Sequence, residues 1–157
     1  MKNIRFVLLG EIILFLGVFL FNILFGGWGV SAIAWFLDLP SFLLIALILF
    51  PGLIIMGAWK DFIKAFSVGI RSYSLLELKN IIEAVGAAQK LTLFGALFAI
   101  IISALLLLGR LDDLAIMGAN LAVCFLSGFY AVIIEFILLP LRLNAECRMN
   151  EEMDLGE

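Results

Sequence analysis

Histidine is absent from this 157-residue chain, and cysteine occurs only twice. With no His and no Cys pair, a zinc or haem site has no ligand set to draw on, and no cofactor is expected. Cys124 falls inside an apolar run and Cys147 in a polar tail, so a bridge between them is excluded by geometry and compartment. Charge is also scarce: Asp, Glu, Lys and Arg make up 15% of the residues, against about 25% in ordinary soluble domains. The few cations are not clustered densely enough for nucleic acid, and no glycine-rich phosphate cradle is present. No Ser or Cys stands beside a plausible base, and the paired Asp or Ser/His of an intramembrane protease is missing. An enzyme is therefore not expected.

What the chain has is hydrocarbon. Apolar residues make up 65% of it, and its mean hydropathy is +1.22. Crossing a hydrocarbon core of about 30 Å takes roughly 20 apolar residues as a helix. Four stretches satisfy this, and the spans are placed at about 6–25, 35–59, 91–109 and 114–141. The fold class expected is all-α: a polytopic membrane protein of four transmembrane helices plus a short amphipathic helix. That membrane domain occupies residues 1–145, with a cytoplasmic loop at 60–90 and an acidic, frayed tail at 146–157. The first stretch is too long for a signal h-region, contains Glu11 and lacks a small-x-small site, so it is read as a retained span.

Lys and Arg set the topology. Lys2, Arg5, Lys60, Lys64, Arg71, Lys79, Lys90, Arg142 and Arg148 fall on one side of these spans, and only Arg110 on the other. Both termini are therefore expected in the cytoplasm. Trp28 and Trp35 suit an interfacial belt. Asp38-Leu-Pro-Ser41 has the chemistry of a helix start, with an acid and a proline in the first turn. Pro51-Gly52 predicts a kink in span two, and residues 61–66 read as its continuation into the cytoplasm. Ser74-x-x-Glu77 is a capping-box pattern, followed by Leu78, Ile81, Ile82 and Val85 at helical spacing. Asp112 and Asp113 are placed to cap span four.

Within spans, small and polar residues carry the information, because helices in lipid associate through close packing and hydrogen bonds. On span four, Asn120, Cys124, Ser127, Gly128, Ala131 and Glu135 fall on one face; on span three, Thr92, Ala96, Ala99, Ser103 and Arg110 do. Each residue taken alone reads as close packing, with Ser103 and Ser127 bonding back to their own helices. The two stripes together also suit an ion path or a surface for a partner helix. Glu135 and Glu11 either snorkel to the inner surface, pair with Arg5 or Arg142, or, for Glu135, belong to the path. Tyr130 reads as packing with one hydrogen bond.

Several segments resemble a known family. Trp35-Phe-Leu-Asp-Leu-Pro-Ser-Phe42 is similar to the F-[IL]-D-[IL]-P-S-L signature that opens the second span of MotA-like proteins, and Arg110-Leu-Asp-Asp113 to their N-L-D-D segment. Gly118 through Tyr130 resembles G-P-A-L-A-V-A-L-L-T-T-L-Y, Glu135 through Pro140 the end of that helix, and Ser72 through Glu77 the loop of compact members. The resemblance, to the MotA/TolQ/ExbB proton-channel family, runs in order along nearly the whole chain. It implies a homo-oligomer, a pentamer, around a single-span partner of the MotB/ExbD/TolR kind with a membrane aspartate. It also implies a bacterial inner membrane and a transported proton or sodium ion.

By that resemblance the chain is a ring-forming subunit of an ion-driven motor or channel that powers a partner. The alternative is a non-conducting relative that scaffolds a membrane complex. The path candidates are Ala99, Ser103, Asn120, Ser127, Gly128, Ala131 and Glu135, with Glu11, Thr92 and Tyr130 secondary. The family's channel threonines align here with Ile100 and Gly128, neither of which offers a side-chain hydroxyl. The short loop also lacks the large domain that meets a flagellar rotor.

Overall fold

The computed structural model describes residues 4–26, 36–109, 111 and 114–154. The side chain of Arg5 and the residues Trp28, Trp35, Arg110, Asp112 and Asp113 named above lie outside what is described. Among the described residues the chain is all-α, with five helices: α1 Ile4–Phe25, α2 Leu39–Ile55, α3 Trp59–Ala65, α4 Leu75–Leu108 and α5 Leu114–Asp154. Among the described residues, α1, α4 and α5 are each long and apolar enough to cross a membrane, and α2 with α3 forms a pair bent by 111° that makes a fourth if counted as one span. This is a membrane protein.

α4 and α5 form an antiparallel pair, and α2 lies against α4. At about 1.5 Å per residue, α4 is roughly 51 Å long and α5 roughly 62 Å, well beyond a core of about 30 Å. The excess of both lies at the same end, which also holds α3 and most of the basic residues. We call it the basic end and its opposite the hairpin end.

The structure differs from the sequence expectations in four places. The amphipathic segment after Ser74 is not a separate helix but the first half of α4, which continues into the third apolar run. The reason is phase: the buried positions Leu78, Ile81, Val85, Ala88, Thr92, Ala96, Ala99 and Ser103 keep to steps of three or four residues across Lys90. Next, α2 runs through Pro51 to Ile55. The sharp break comes at residues 56–58, where Gly57 takes φ +70°, a conformation glycine adopts without the Cβ clash of other residues. Consequently α3 does not extend α2; it turns away from it. Finally, the acidic tail is helical to Asp154, with Arg148 Nη1 paired to Glu151 Oε2 at 3.1 Å.

The main apolar core sits at the basic end, where Leu53, Ile81, Val85 and Leu141 are fully buried together with Phe62 and Ala65 of α3. Burying such side chains stabilises by about 1.5–3 kcal/mol each where the alternative is water. Within the bilayer that drive vanishes, and contact depends on small residues. The second core there is correspondingly slight: Ile45, Ala96 and Ala131, with Gly95 letting α4 approach the Ile45 backbone. α1 is almost wholly exposed. It meets α5 through rings, Phe15 on Phe129 at 6.0 Å and Phe19 on Phe129 at 6.1 Å.

The capping box at Ser74 is formed: the Glu77 N–H donates to Ser74 Oγ, and the Ser74 N–H and hydroxyl donate to the Glu77 carboxylate. Lys64 of α3 lies 3.6 Å from Glu77 and 2.9 Å from Asp61. The Ser74 N–H and hydroxyl bonds, helped by the Lys64 charge, hold the Glu77 carboxyl below its ordinary value of 4.5. The Asp61 hydrogen bond, with the nearby acids, raises Lys64 above 10.5. A lowered carboxyl gives stability above its unfolded value and loses it as pH falls through the folded one. A raised ammonium gives stability below its unfolded value and loses it as pH rises through the folded one. The tie of α3 to the first turn of α4 should therefore hold from mildly acid to alkaline pH and loosen below 4.5. Hydrogen exchange of that turn, compared with Glu77→Gln at the same pH, checks this: the difference between the two proteins should vanish in acid.

Candidate functional site

The polar residues inside the bundle form two groups, one toward each end. Nearer the hairpin end, Asp38 caps α2 from an extended backbone and accepts from the Ser41 N–H at 3.1 Å and from the Ser41 hydroxyl. Pro40, in the first turn, needs no donor there. Tyr130 of α5 reaches this cap. Its hydroxyl donates to the Phe36 carbonyl at 2.6 Å and accepts from the Asp38 N–H at 2.8 Å, so it makes two hydrogen bonds. Ser41 is fully buried with its hydroxyl 3.5 Å from the Val123 carbonyl, which also accepts from Ser127 Oγ at 2.8 Å. Ser127 thus bonds back to its own helix, in contact range of α2.

The second group lies where α4 and α5 leave their uncharged stretches. Glu135 Oε2 accepts from Gln89 Nε2 at 3.0 Å. Arg142 Nη1 donates to Gln89 Oε1 at 3.3 Å, and Arg142 Nε donates to Glu146 at 2.9 Å. Gln89 therefore stands between Glu135 and Arg142, which do not pair directly, and the four form a chain toward the basic end. Glu135 Oε1 and, one turn up α4 from Gln89, Thr92 Oγ1 are buried with no hydrogen-bond partner among the described residues. A buried polar atom left unpaired is costly, so its retention asks for a reason. Beside Glu135 runs an apolar groove of about 320 Å³, lined by Leu93, Ala131, Val132, Phe136 and Leu139.

The candidate residues divide accordingly. Thr92, Ala99, Ser103, Ser127 and Ala131 are buried within the single chain, packed among α2, α4 and α5. Asn120, Gly128 and Glu135 are half-buried along one edge of α5. Cys124 Sγ lies 3.6 Å from the Ile100 carbonyl. Glu11 is on α1, half-buried, with Oε2 unpartnered among the described residues, and Arg142 is paired to Glu146 rather than to it. Among the described residues no group of His, Cys, Asp and Glu could hold a metal.

Two participants escaped the sequence reading. Gln89 continues the three- and four-residue spacing of Thr92, Ala96, Ala99 and Ser103 one step back, and that spacing was the signal for it. Ser41 was visible only as part of a helix start. Compared with known proteins, the chain matches no family model, no curated protein and no solved structure.

Proposed function

We propose that this chain is a ring-forming subunit of an ion-driven membrane motor or channel of the MotA/TolQ/ExbB kind. The observation that carries the proposal is the half-buried edge of α5 bearing Asn120, Gly128 and Glu135, on a helix pair long and apolar enough to cross the bilayer with length to spare at one end. In this reading α2 is the fourth, short span, the basic end is cytoplasmic, and the membrane is the bacterial inner membrane. Copies assemble, as a pentamer by resemblance, around a single-span partner whose aspartate meets that edge. The ion, a proton or sodium, passes Gly128 and leaves by way of the Glu135 carboxylate toward Glu146, with Gln89 and Arg142 holding the two carboxylates in place.

A specific observation favours the second reading, a non-conducting scaffold. The hydroxyls of Thr92, Ser103 and Ser127 are turned into the chain's own packing, which leaves few of them for a path between copies.

Gly128 separates the two. A Cβ added there meets nothing within 4 Å, so Gly128→Leu should leave the chain's own fold unchanged. Vesicles containing the protein and a single-span partner should take up protons under an imposed gradient. Gly128→Leu should bring that uptake to the level of protein-free vesicles while the cross-linked ring persists. Wild-type vesicles that stay ion-tight, with the ring intact, would establish the scaffold instead. Absence of any ring would end both.

A further inference from the structure

We propose that α3 is a lipid-surface helix, seated in the headgroup and glycerol layer of the leaflet at the basic end and taking up anionic phospholipid there. The proposal needs only that the chain spans a membrane, and stands whether or not it conducts. Three observations meet in it. The first is direction: α3 leaves α2 at 111°, so if α2 crosses the bilayer, α3 runs nearly along its surface. The second is sidedness. With successive residues turned by about 100°, α3 has three sides. Phe62 and Ala65 enter the core; Lys60 and Lys64 point away from it; Trp59, Ile63 and Phe66 make a stripe between. Ile63 is 51% and Phe66 43% exposed, although the whole of α3 is only seven residues long.

The third observation fixes which way the stripe looks. The Trp59 ring packs edge-on against Phe50 of α2, centroids 5.7 Å apart. Phe50 lies more than a turn up α2, so Trp59, and the stripe it begins, faces the side from which α2 descends: the bilayer. Ile55 and Met56, 85% and 60% exposed at the bend, continue the same apolar rim. An exposed apolar stripe with an indole at its edge and lysines beside it is the pattern of a helix lying in an interface. Lys64 is engaged by Asp61 and Glu77, whereas Lys60 has no ion pair among the described residues. Lys60 is thus the cation left for a lipid phosphate.

The test uses the full chain with Trp28→Phe and Trp35→Phe, so that Trp59 is the only indole, in phosphatidylcholine vesicles with and without phosphatidylglycerol. Trp59 emission should be quenched more strongly by lipids brominated near the carbonyl end than by those brominated near the chain end, and hardly by aqueous iodide. Phosphatidylglycerol should shift it to shorter wavelength, and Lys60→Gln should abolish that shift while leaving bromine quenching in place. Quenching by iodide and not by bromine would overturn the proposal, placing α3 in water. Quenching by neither would also overturn it, since a second copy or another protein would then cover the stripe. No response to phosphatidylglycerol would overturn the anionic assignment. If the double tryptophan replacement fails to fold, cysteines at the two sites decide instead, with Cys124 and Cys147 replaced by serine. Lys60→Cys should react with a water-soluble maleimide and Ile63→Cys should not; equal reaction would overturn the proposal.

Discussion

Gly95→Leu should detach α2 from α4 and lower the stability of the purified protein by about 1–3 kcal/mol or more, the range for overpacking a fitted contact. A Cβ at Gly95 would sit 3.1 Å from the Ile45 Cα and 3.5 Å from its carbonyl oxygen. Both are backbone atoms of a helix, so relief requires moving the helix. Gly52 looks worse by distance, since a Cβ there would meet Leu91 methyls at 2.8 and 2.9 Å, but a leucine side chain can turn aside. Gly10 and Gly17 of α1 have nothing within 4 Å of an added Cβ, and leucine at either should be neutral. The order of unfolding midpoints in detergent should therefore be Gly95→Leu far below wild type, Gly52→Ala slightly below, and Gly17→Leu equal to it. Because the bilayer supplies no hydrophobic drive between helices, this close approach is what holds the middle of α2, between the Tyr130 bonds at its start and Leu53 in the core at its end. A Gly95→Leu protein as stable as wild type would mean that α2 does not rest on α4.

Glu135→Gln should abolish ion flux while the assembly survives. Glutamine keeps an oxygen to accept from Gln89 Nε2, so the bond across the α4–α5 seam is retained. What disappears is the ability to take up and release a proton. Glu135 is the first charged residue met on α5 after Leu114, and no charged residue lies between Leu91 and Leu108 on α4. The next carboxylate on α5 is Glu146, so a proton moving along this seam has no other such group to occupy on the way. The scaffold reading makes the opposite forecast: flux is nil from the start, and removing a carboxylate with an unpartnered buried oxygen raises stability. Proton uptake and unfolding midpoints measured on the same two preparations distinguish the cases.

Where structure depends on neighbours in sequence, the sequence was legible. The Asp38–Pro40 start of α2 and the Ser74–Glu77 capping box are local devices, and both are formed. So is the membrane character of α1, α4 and α5, which follows from length and apolarity alone. The continuity of α4 was written in the unbroken spacing from Leu78 to Ser103, but the charge at Lys90 invited a boundary, although an exposed lysine does not interrupt a helix. The bend at Gly57 was hidden because Pro51 is the stronger breaker by type. Pro51 is exposed on α2, and the helix continues past it. Whether a small residue faces a lumen or its own chain's neighbour depends on where α2 settles. That is how the hydroxyls of Ser127 and Ser41 came to share the Val123 carbonyl. Gln89 and Glu135 are 46 positions apart, and no pattern in either segment announces the other.

The unbroken run of α5 has a mechanical consequence. From Ser127 to Asp154 the helix extends roughly 40 Å at the α-helical rise. A rocking of roughly 10° about the depth of Ser127 would sweep its far tip about 7 Å sideways, by the same arithmetic. In the proposed motor it would serve as a lever with its fulcrum in oil and its handle in water. Its weakest rung is at Pro140, which cannot donate the backbone bond of its turn. That rung sits five residues past Glu135, so any compliance in the lever falls beside the one carboxylate along its apolar shaft.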